Sequence, residues 1–514
     1  MNDGLICVSV HADTLDKLIS RVAAVPAEAD LIEIRFDSLD PSEIGDPLNS
    51  GGAVRKVFDT FPDRKFLVTL RPESEGGFRP IQKSERLAFW NSGIDADYVD
   101  IEFELVEENP ELLTNHRIVS IHDFDNDSKR VEAFCAAARE KPDDLVKIAV
   151  TADDVVDGLD LWKRFQDFRF AAGDGVAGNR LIPISMGAKG IWTRILGAAF
   201  GSPITYAAAD GLAPTAAGQI SYTDLTEVYR VKSLSPDTEI YGVTGSALGH
   251  SLSSPMHNAA FAAAALDAVY IPFELSDLGA FINRMVRPQT REIDWNLRGF
   301  SVTIPFKQEI LAYLDFTDPA AASIGAVNTV QLVDQKLVGF NTDAAGFLKP
   351  LSDKYGDLKD ASVAVIGAGG AARACVYGLR AAGAGVTIFA RKIEQAESVA
   401  EDLGCDAMEL PRLPNVIRCF QIAVNATPLG SHGALEDKSA LEDVDLKNLQ
   451  LAYDLVYNPR DTLFLRDAKK AGVPTIGGLA MLVGQGAKQF ELWTGRAAPL
   501  EVMQKAALSG LVSR

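Results

Sequence analysis

Between Leu5 and Ala209 the chain repeats one unit: a short apolar or alternating run of strand length, then a polar-ended stretch of helix length. The runs fall at 5–10, 31–37, 65–71, 98–104, 117–122, 145–151, 180–186 and 204–209, and spacers such as 85–93 and 129–141 carry helical patterning. Strands separated by helices favour a parallel sheet, because each helix returns the chain to the end where the last strand began. Eight of them in about 220 residues predict a compact (β/α)8 barrel, with a doubly wound sheet as the alternative.

The 514 residues exceed what one hydrophobic core holds. A helix-like stretch at 223–232 runs into the turn-rich Ser233–Thr238, and a new strand starts at Ile240. The expected division is a barrel at 1–224, a linker at 225–237 and a second α/β half. Within that half, 238–345 should form a substrate lobe and 346–477 a Rossmann nucleotide lobe, with helices at 478–514 returning to the substrate lobe. The formal charge of −20 argues against a nucleic-acid partner, which needs a clustered basic face. Five scattered cysteines without CxxC spacing predict neither disulfides nor a metal site. No basic region precedes the apolar run at 5–10, and no run of 18 apolar residues occurs, so a cytoplasmic protein away from membranes is expected.

In a barrel, polar residues at the C-terminal strand ends usually belong to a site. Here those ends hold Glu33 and Arg35 in LIEIRF, Arg71 after FLVTL, Glu75 in the following loop, Glu102, His122 in RIVSIHDF, and Lys147 in LVKIAV. One buried charge pair could be structural; a series at successive strand ends is harder to explain that way. Flanked by Val146, Ile148, Ala149 and Val150, Lys147 should be partly desolvated, which favours the neutral amine. A neutral lysine can attack a ketone to form a Schiff base, whose iminium acidifies the neighbouring carbon. His122 is the natural proton shuttle, Glu75 can orient it, and Arg35, Arg71 and Arg194 suit a carboxylate. These residues describe an iminium-forming lyase or aldolase for a keto acid.

The motifs E-x-R at Glu33–Arg35, R-x-x-x-E at Arg71–Glu75, HDF at His122, K-I-A at Lys147, SMG at Ser185–Gly187, Arg194 and AGQI at Ala217–Ile220 resemble type I 3-dehydroquinate dehydratase over roughly 1–222. The resemblance implies Lys147 as Schiff-base residue and His122 as general acid and base, with Glu75 beside it. Glu33, Arg35, Arg71, Glu102, Met186, Arg194, Thr215 and Gln219 are the implied substrate contacts. Water would leave by syn elimination, giving 3-dehydroshikimate. Thr215 keeps a hydroxyl where relatives often have serine.

In the second half, Ser362–Arg373 reads strand, glycine turn, helix. Gly367 permits the tight turn, Gly369 lets backbone approach a pyrophosphate, and Ala372 fills the third small position. The next strand ends in Arg391-Lys392 rather than an acid, which suits the 2′-phosphate of NADP; a solvated basic turn is the plain alternative. Gly249–Pro255, Ser301–Lys307, Gly325–Thr329 and Gly339–Asp343 gather hydroxyls, an amide, a lysine and an aspartate, and resemble shikimate dehydrogenase over about 238–510. The resemblance implies Lys307 and Asp343 as the catalytic pair. It implies Ser251 and Ser253 at the carboxylate, and Thr303, Asn328, Tyr457, Gln485 and Gln489 at the ring hydroxyls. The cofactor contacts implied are Gly367, Ala368, Gly369, Gly370, Ala371, Arg391, Lys392, Asn425, Thr427 and Gly478. His257 and His432 are given no catalytic role.

The two halves together resemble the bifunctional dehydratase–dehydrogenase fusion of plants, turning 3-dehydroquinate through 3-dehydroshikimate into shikimate with NADPH. Two alternatives stand beside this: a second half acting on quinate, and a non-catalytic quinate-sensing regulator. The presence of Lys147, His122, Lys307 and Asp343 counts against the regulator.

Overall fold

A computed structural model describes residues 2–45, 52–112, 116–125, 127–141, 143–171, 179–249, 251–442 and 444–512. Residue 250, inside the 249–255 motif, lies outside them. All eight strand segments of the first half form: β1 (Leu5–Val10), β2 (Leu31–Arg35), β3 (Phe66–Thr69), β4 (Tyr98–Glu102), β5 (Arg117–Asp123), β6 (Leu145–Thr151), β7 (Leu181–Met186) and β8 (Ile204–Ala208). They pair in parallel in the order 7-6-5-4-3-2-1-8, and a two-residue β9 (Ile220–Ser221) adds to β8. Because β1 lies between β2 and β8, the sheet curls into the (β/α)8 form. Cys7, Leu31, Leu67, Ile118, Ile182 and Tyr206 fill its interior. The expected linker holds most of a π-helical turn at Asp224–Val228 and a 3-10 turn at Val231–Ser233, and the latter is tied down by Asn2, whose amide donates to the carbonyls of Val231 and Leu234.

The chain divides into two compact units. The first is Met1–Thr238 with Ile271–Met285 and Thr290–Asn296; the second is Glu239–Tyr270, Val286–Gln289 and Leu297–Arg514. Six further strands make a mixed sheet: β10 (Glu239–Gly245), β11 (Ala268–Glu274), β12 (Leu297–Val302), β13 (Phe316–Thr317), β14 (Thr329–Val333) and β15 (Lys336–Phe340), in the order 11-10-12-14-15-13. A second six-stranded sheet, wholly parallel, holds β16 (Ser362–Ile366), β17 (Gly385–Ala390), β18 (Asp406–Glu409), β19 (Ile422–Asn425), β20 (Leu451–Asp454) and β21 (Thr475–Ile476), in the order 18-17-16-19-20-21. The central strands β16, β17, β19 and β20 are almost wholly buried, as strands covered on both faces must be. The strand order reverses direction between β16 and β19, the topological switch point where nucleotides bind in such sheets. Helix Gly478–Thr494 then reaches the mixed sheet, where Trp493 donates its indole N–H to the Val330 carbonyl at 3.1 Å. Among the described residues no helix is long and apolar enough to cross a membrane.

Candidate active sites

At the C-terminal ends of the barrel strands, a cavity of about 290 Å³ is lined by Glu33, Arg35, Arg71, His122, Lys147, Met186, Arg194, Thr215 and Gln219, together with Tyr206 and Phe124. The strands deliver Glu33, Arg35, His122, Lys147, Met186 and Tyr206, the loops that follow strands supply Arg71, Phe124, Thr215 and Gln219, and helix Ile191–Leu196 supplies Arg194. Their centre is a buried carboxylate that the motifs did not single out. Asp100 of β4 takes Lys147 Nζ at 2.6 Å on one oxygen, and Arg71 Nη2 and the Ser120 hydroxyl at 2.6 Å each on the other. Against the cost of burial, Arg71 and then Lys147 hold its carboxyl far below the usual range.

Lys147 is 5% exposed. Burial pulls its pKa below the ordinary lysine value and Arg71 adds to this, while Asp100 opposes both. On another side its ammonium lies 4.5 Å from the centre of the Tyr206 ring, within cation–π range. The amine thus has one directly paired counter-charge in Asp100, a second negative charge nearby in Glu33, one like charge and one aromatic face.

Arg71 Nη1 also donates to His122 Nδ1 at 2.8 Å. A guanidinium can only donate, so Nδ1 is an acceptor and the imidazole proton sits on Nε2. Burial, Arg71 and Lys147 push the His122 pKa well below its ordinary value, so the ring is neutral near pH 7. Glu75 donates nothing to this arrangement: its Oε2 accepts the backbone N–H of His122 at 2.8 Å and lies 3.4 Å from Nδ1.

The arginines differ in how far they are committed. Arg35 is clamped by both oxygens of Asp37 at 3.0 and 2.7 Å, and Arg71 by Asp100. Arg194, 3% exposed, has no carboxylate within ion-pair distance among the described residues; its Nε has no partner and its Nη2 only the Ala217 carbonyl at 3.4 Å. Burial lowers its pKa to about 10. Glu33 accepts from the hydroxyls of Ser9 and Thr69, and Gln219 links Ser9 to Thr215. Glu102 departs from expectation. It stands at the N-terminal boundary of helix Phe103–Glu108, pairs with Arg86 and does not line the cavity, because β4 gives way to that helix at this residue.

The second unit holds a cavity of about 320 Å³ lined by Ser251, Ser253, Thr303, Lys307, Asn328, Asp343, Tyr457, Gln485 and Gln489, with Leu455, Met481 and Leu482 as apolar wall. Lys307 Nζ meets Asp343 Oδ2 at 2.5 Å, and the Asn328 amide donates to Asp343 Oδ1 at 2.9 Å. Thr342 precedes the helix that Asp343 begins, Asp343–Tyr355. Its backbone N–H donates to Asn328 Oδ1 at 2.8 Å, so lysine, aspartate and asparagine form one unit.

Behind them lies a network absent from the motif reading. Gln489 accepts from the Ser301 hydroxyl at 2.9 Å and donates to Thr329 and to the Asn328 carbonyl. Ser301 in turn shares a 2.6 Å hydrogen bond with the Tyr270 hydroxyl. His257, stacked on Tyr270 at 4.4 Å, meets Gln489 at 3.3 Å; burial lowers its pKa to about 3, so it is a neutral packing group. Exposed His432 pairs with Glu436.

The glycine turn leaves its backbone open. Gly367 has φ of +113°, and a Cβ there would sit 2.9 Å from the Ala426 carbonyl oxygen, so only glycine fits. A Cβ on Gly369 would meet nothing within 4 Å, leaving an open approach to the first amides of helix Gly370–Ala381. Arg391 and Lys392 follow β17, both exposed and in no ion pair among the described residues. Asn425 turns inward instead: its amide donates to Asp454 and the Leu429 carbonyl, and its oxygen accepts from Thr427, so it shapes the loop that carries Thr427. At Gly478 a Cβ would lie 2.1 Å from the Leu455 carbonyl oxygen, which explains the glycine.

Comparison with known families assigns each part. Residues 6–236 match type I 3-dehydroquinase. Residues 243–330 match the shikimate dehydrogenase substrate binding domain, 350–469 shikimate/quinate 5-dehydrogenase, and 478–508 the shikimate 5'-dehydrogenase C-terminal domain. A lyase barrel joined to an oxidoreductase is therefore the class of this chain. Over 98% of its length it is 33% identical to the chloroplastic bifunctional 3-dehydroquinate dehydratase/shikimate dehydrogenase of Arabidopsis thaliana, spanning 84% of that protein. It belongs to this bifunctional 3-dehydroquinate dehydratase/shikimate dehydrogenase family. The second half, 52% of the chain, is 38% identical to the NADP(+) shikimate dehydrogenase of Carboxydothermus hydrogenoformans over 96% of the latter. A crystal structure of the Thermus thermophilus shikimate dehydrogenase in complex with NADP(H) and shikimate aligns over 53% of this chain and 99% of that one, at 38% identity and a TM-score of 0.46.

Proposed function

We propose that the first unit dehydrates 3-dehydroquinate through a Schiff base on Lys147, and that the second reduces the product, 3-dehydroshikimate, to shikimate with NADPH. The observation that carries the first step is the burial of Lys147 between Asp100, Arg71 and the Tyr206 ring. Burial and Arg71 favour loss of the ammonium proton, so the amine can attack the substrate ketone. Loss of water from the resulting carbinolamine leaves a cationic iminium, for which Asp100 is the counter-charge. The carbon beside the iminium becomes acidic. His122 removes its proton and returns a proton to the departing hydroxyl. To act as base through Nε2 the ring must move its own proton to Nδ1, which requires the Arg71 donor to leave that nitrogen and makes Glu75 the neighbouring acceptor. Arg194, uncommitted and buried, binds the carboxylate.

In the second unit Lys307 is the cationic donor, oriented by Asp343 and Asn328, that gives a proton to the oxygen forming at the reduced carbon. Ser251 and Ser253 take the carboxylate, and Thr303, Gln485 and Tyr457 the hydroxyls. NADPH, when bound, supplies the hydride; the Gly367–Ala371 turn would hold its pyrophosphate and Arg391 with Lys392 its 2′-phosphate. A cytoplasmic setting belongs to this proposal, beside a relative named as chloroplastic.

Borohydride reduction in the presence of 3-dehydroquinate tests the Schiff base. It should add the mass of the reduced adduct to the peptide containing Lys147, and a normal dehydration rate without trapping would overturn the assignment. Lys307→Ala should abolish NADPH oxidation and leave dehydration intact.

A further inference from the structure

Glu75 is held from both sides. One oxygen takes the His122 backbone N–H; the other is gripped by Arg130, from helix Ser128–Arg139. The same guanidinium donates to the His122 carbonyl at 2.9 Å and lies 3.3 Å from Glu104. One arginine outside the cavity therefore fixes both the backbone of the imidazole residue and the carboxylate beside it. Nδ1 meanwhile has a donor in place, Arg71 at 2.8 Å, and an acceptor 3.4 Å away that is bound elsewhere.

Resting on the role of His122 as proton shuttle, we propose that Arg130 is a positioning residue that holds Glu75 back from Nδ1 and so sets which ring nitrogen carries the proton. The physical basis is charge and geometry. Around the imidazole stand Arg71 beyond β3, Lys147 on β6, Arg35 on β2, Asp100 on β4, and Glu75. Pairing with Arg130 spends most of the Glu75 charge away from the ring. Remove Arg130, and a full carboxylate charge faces Nδ1 while one nearby positive charge disappears. Both changes favour the protonated imidazole. A proton on Nδ1 is then retained against Glu75 instead of giving way to the Arg71 donor as the cycle turns.

The test uses the full chain and kcat for dehydration at saturating 3-dehydroquinate against pH. At saturation Lys147 is covalently engaged, so the acid limb belongs to His122. Arg130→Met should lower kcat at pH 7 and move the acid limb up by about half a pH unit or more. Arg130→Lys should restore most of the original limb. In a Glu75→Gln background the shift from Arg130→Met should fall to less than half. Should Arg130→Met not fold, Arg130→Gln keeps a donor but drops the charge and should move the limb the same way. A limb that stays put in the charge-removing variants, or a shift undiminished by Glu75→Gln, overturns the inference, since lost packing would lower the rate without moving the limb. Borohydride trapping separates this from the underlying reading: no trapping in the unaltered chain sinks the Schiff base, whereas normal trapping with an unmoved limb sinks only the role of Arg130.

Discussion

Lys147 Nζ and Asp100 Oδ2 lie 2.6 Å apart in the core of the barrel, each side chain 6% exposed or less. Asp100 is the one neighbour among the leading influences on Lys147 that forms an ion pair with it, and Arg71 competes for the same carboxylate. Removing it leaves two buried cations without their shared counter-charge.

Asp100→Asn should accordingly destabilise the first unit by about 3–5 kcal/mol, the usual consequence of breaking a buried pair from one side. The sign for Lys147 is also fixed. Asp100 raises its pKa, so the asparagine variant should carry a still lower one, and the pH at which borohydride trapping sets in should fall. A slower dehydration by about 100-fold is expected because the iminium loses its counter-charge. Thermal melts and the pH dependence of trapping check both parts; an unmoved onset would remove Asp100 from the account of the amine.

Arg194 offers a buried cation that no carboxylate among the described residues satisfies. Arg194→Ala should raise KM for 3-dehydroquinate by about 10- to 100-fold, the worth of one charge-assisted contact to a carboxylate, with a smaller effect on kcat. Steady-state kinetics read this directly. A larger loss in kcat than in KM would place Arg194 at the reacting carbon instead.

His122 titrates below the ordinary imidazole value in the free enzyme because burial, Arg71 and Lys147 disfavour its charged form. The neutral ring therefore contributes stability that is present above the unfolded pKa of about 6.5 and is lost as pH falls through the lower folded value. NMR titration of the six labelled histidines should find one whose midpoint lies below the ordinary imidazole value and that disappears from the spectrum of His122→Gln. His257, lowered to about 3 by burial, should be a second, unaffected by that change. An ordinary titration for His122 would contradict the burial and the like-charge pressure of Arg71 and Lys147 on the ring.

Arg391 and Lys392 stand exposed at the end of β17, paired with no acid among the described residues. Replacing both with alanine should raise KM for NADPH about 10-fold or more and leave KM for NADH nearly unchanged. An equal effect on both cofactors would make the pair a general nucleotide contact.

Much of this was legible in the chain. The eight-fold repeat predicts the parallel order because each helix forces the strand after it to run the same way, and the glycine turn carries its own backbone requirement at Gly367. What escaped was set by local geometry or by long-range pairing. Asp100 sits between Val99 and Ile101, where one acid on a strand gives no sign of two cations arriving from 29 residues before and 47 after it. Glu102, on the same face by alternation, drew the attention instead, but it is the residue at which β4 gives way to a helix, and it turns out to Arg86. Tyr206 lies in an apolar run and reads as core, though its ring faces the proposed Schiff-base lysine. Arg130 has the pattern of an exposed helix face; only the fold brings it to Glu75. The Ser301–Gln489 contact spans 188 residues and has no local signal at all.

The most direct test of two consecutive reactions on one chain is to give the purified protein 3-dehydroquinate and NADPH with no other enzyme present. Shikimate should accumulate with one NADPH oxidised per molecule formed, and 3-dehydroshikimate should pass through as the intermediate. Accumulation of 3-dehydroshikimate with NADPH untouched, or unchanged 3-dehydroquinate beside an enzyme that still reduces added 3-dehydroshikimate, would contradict it.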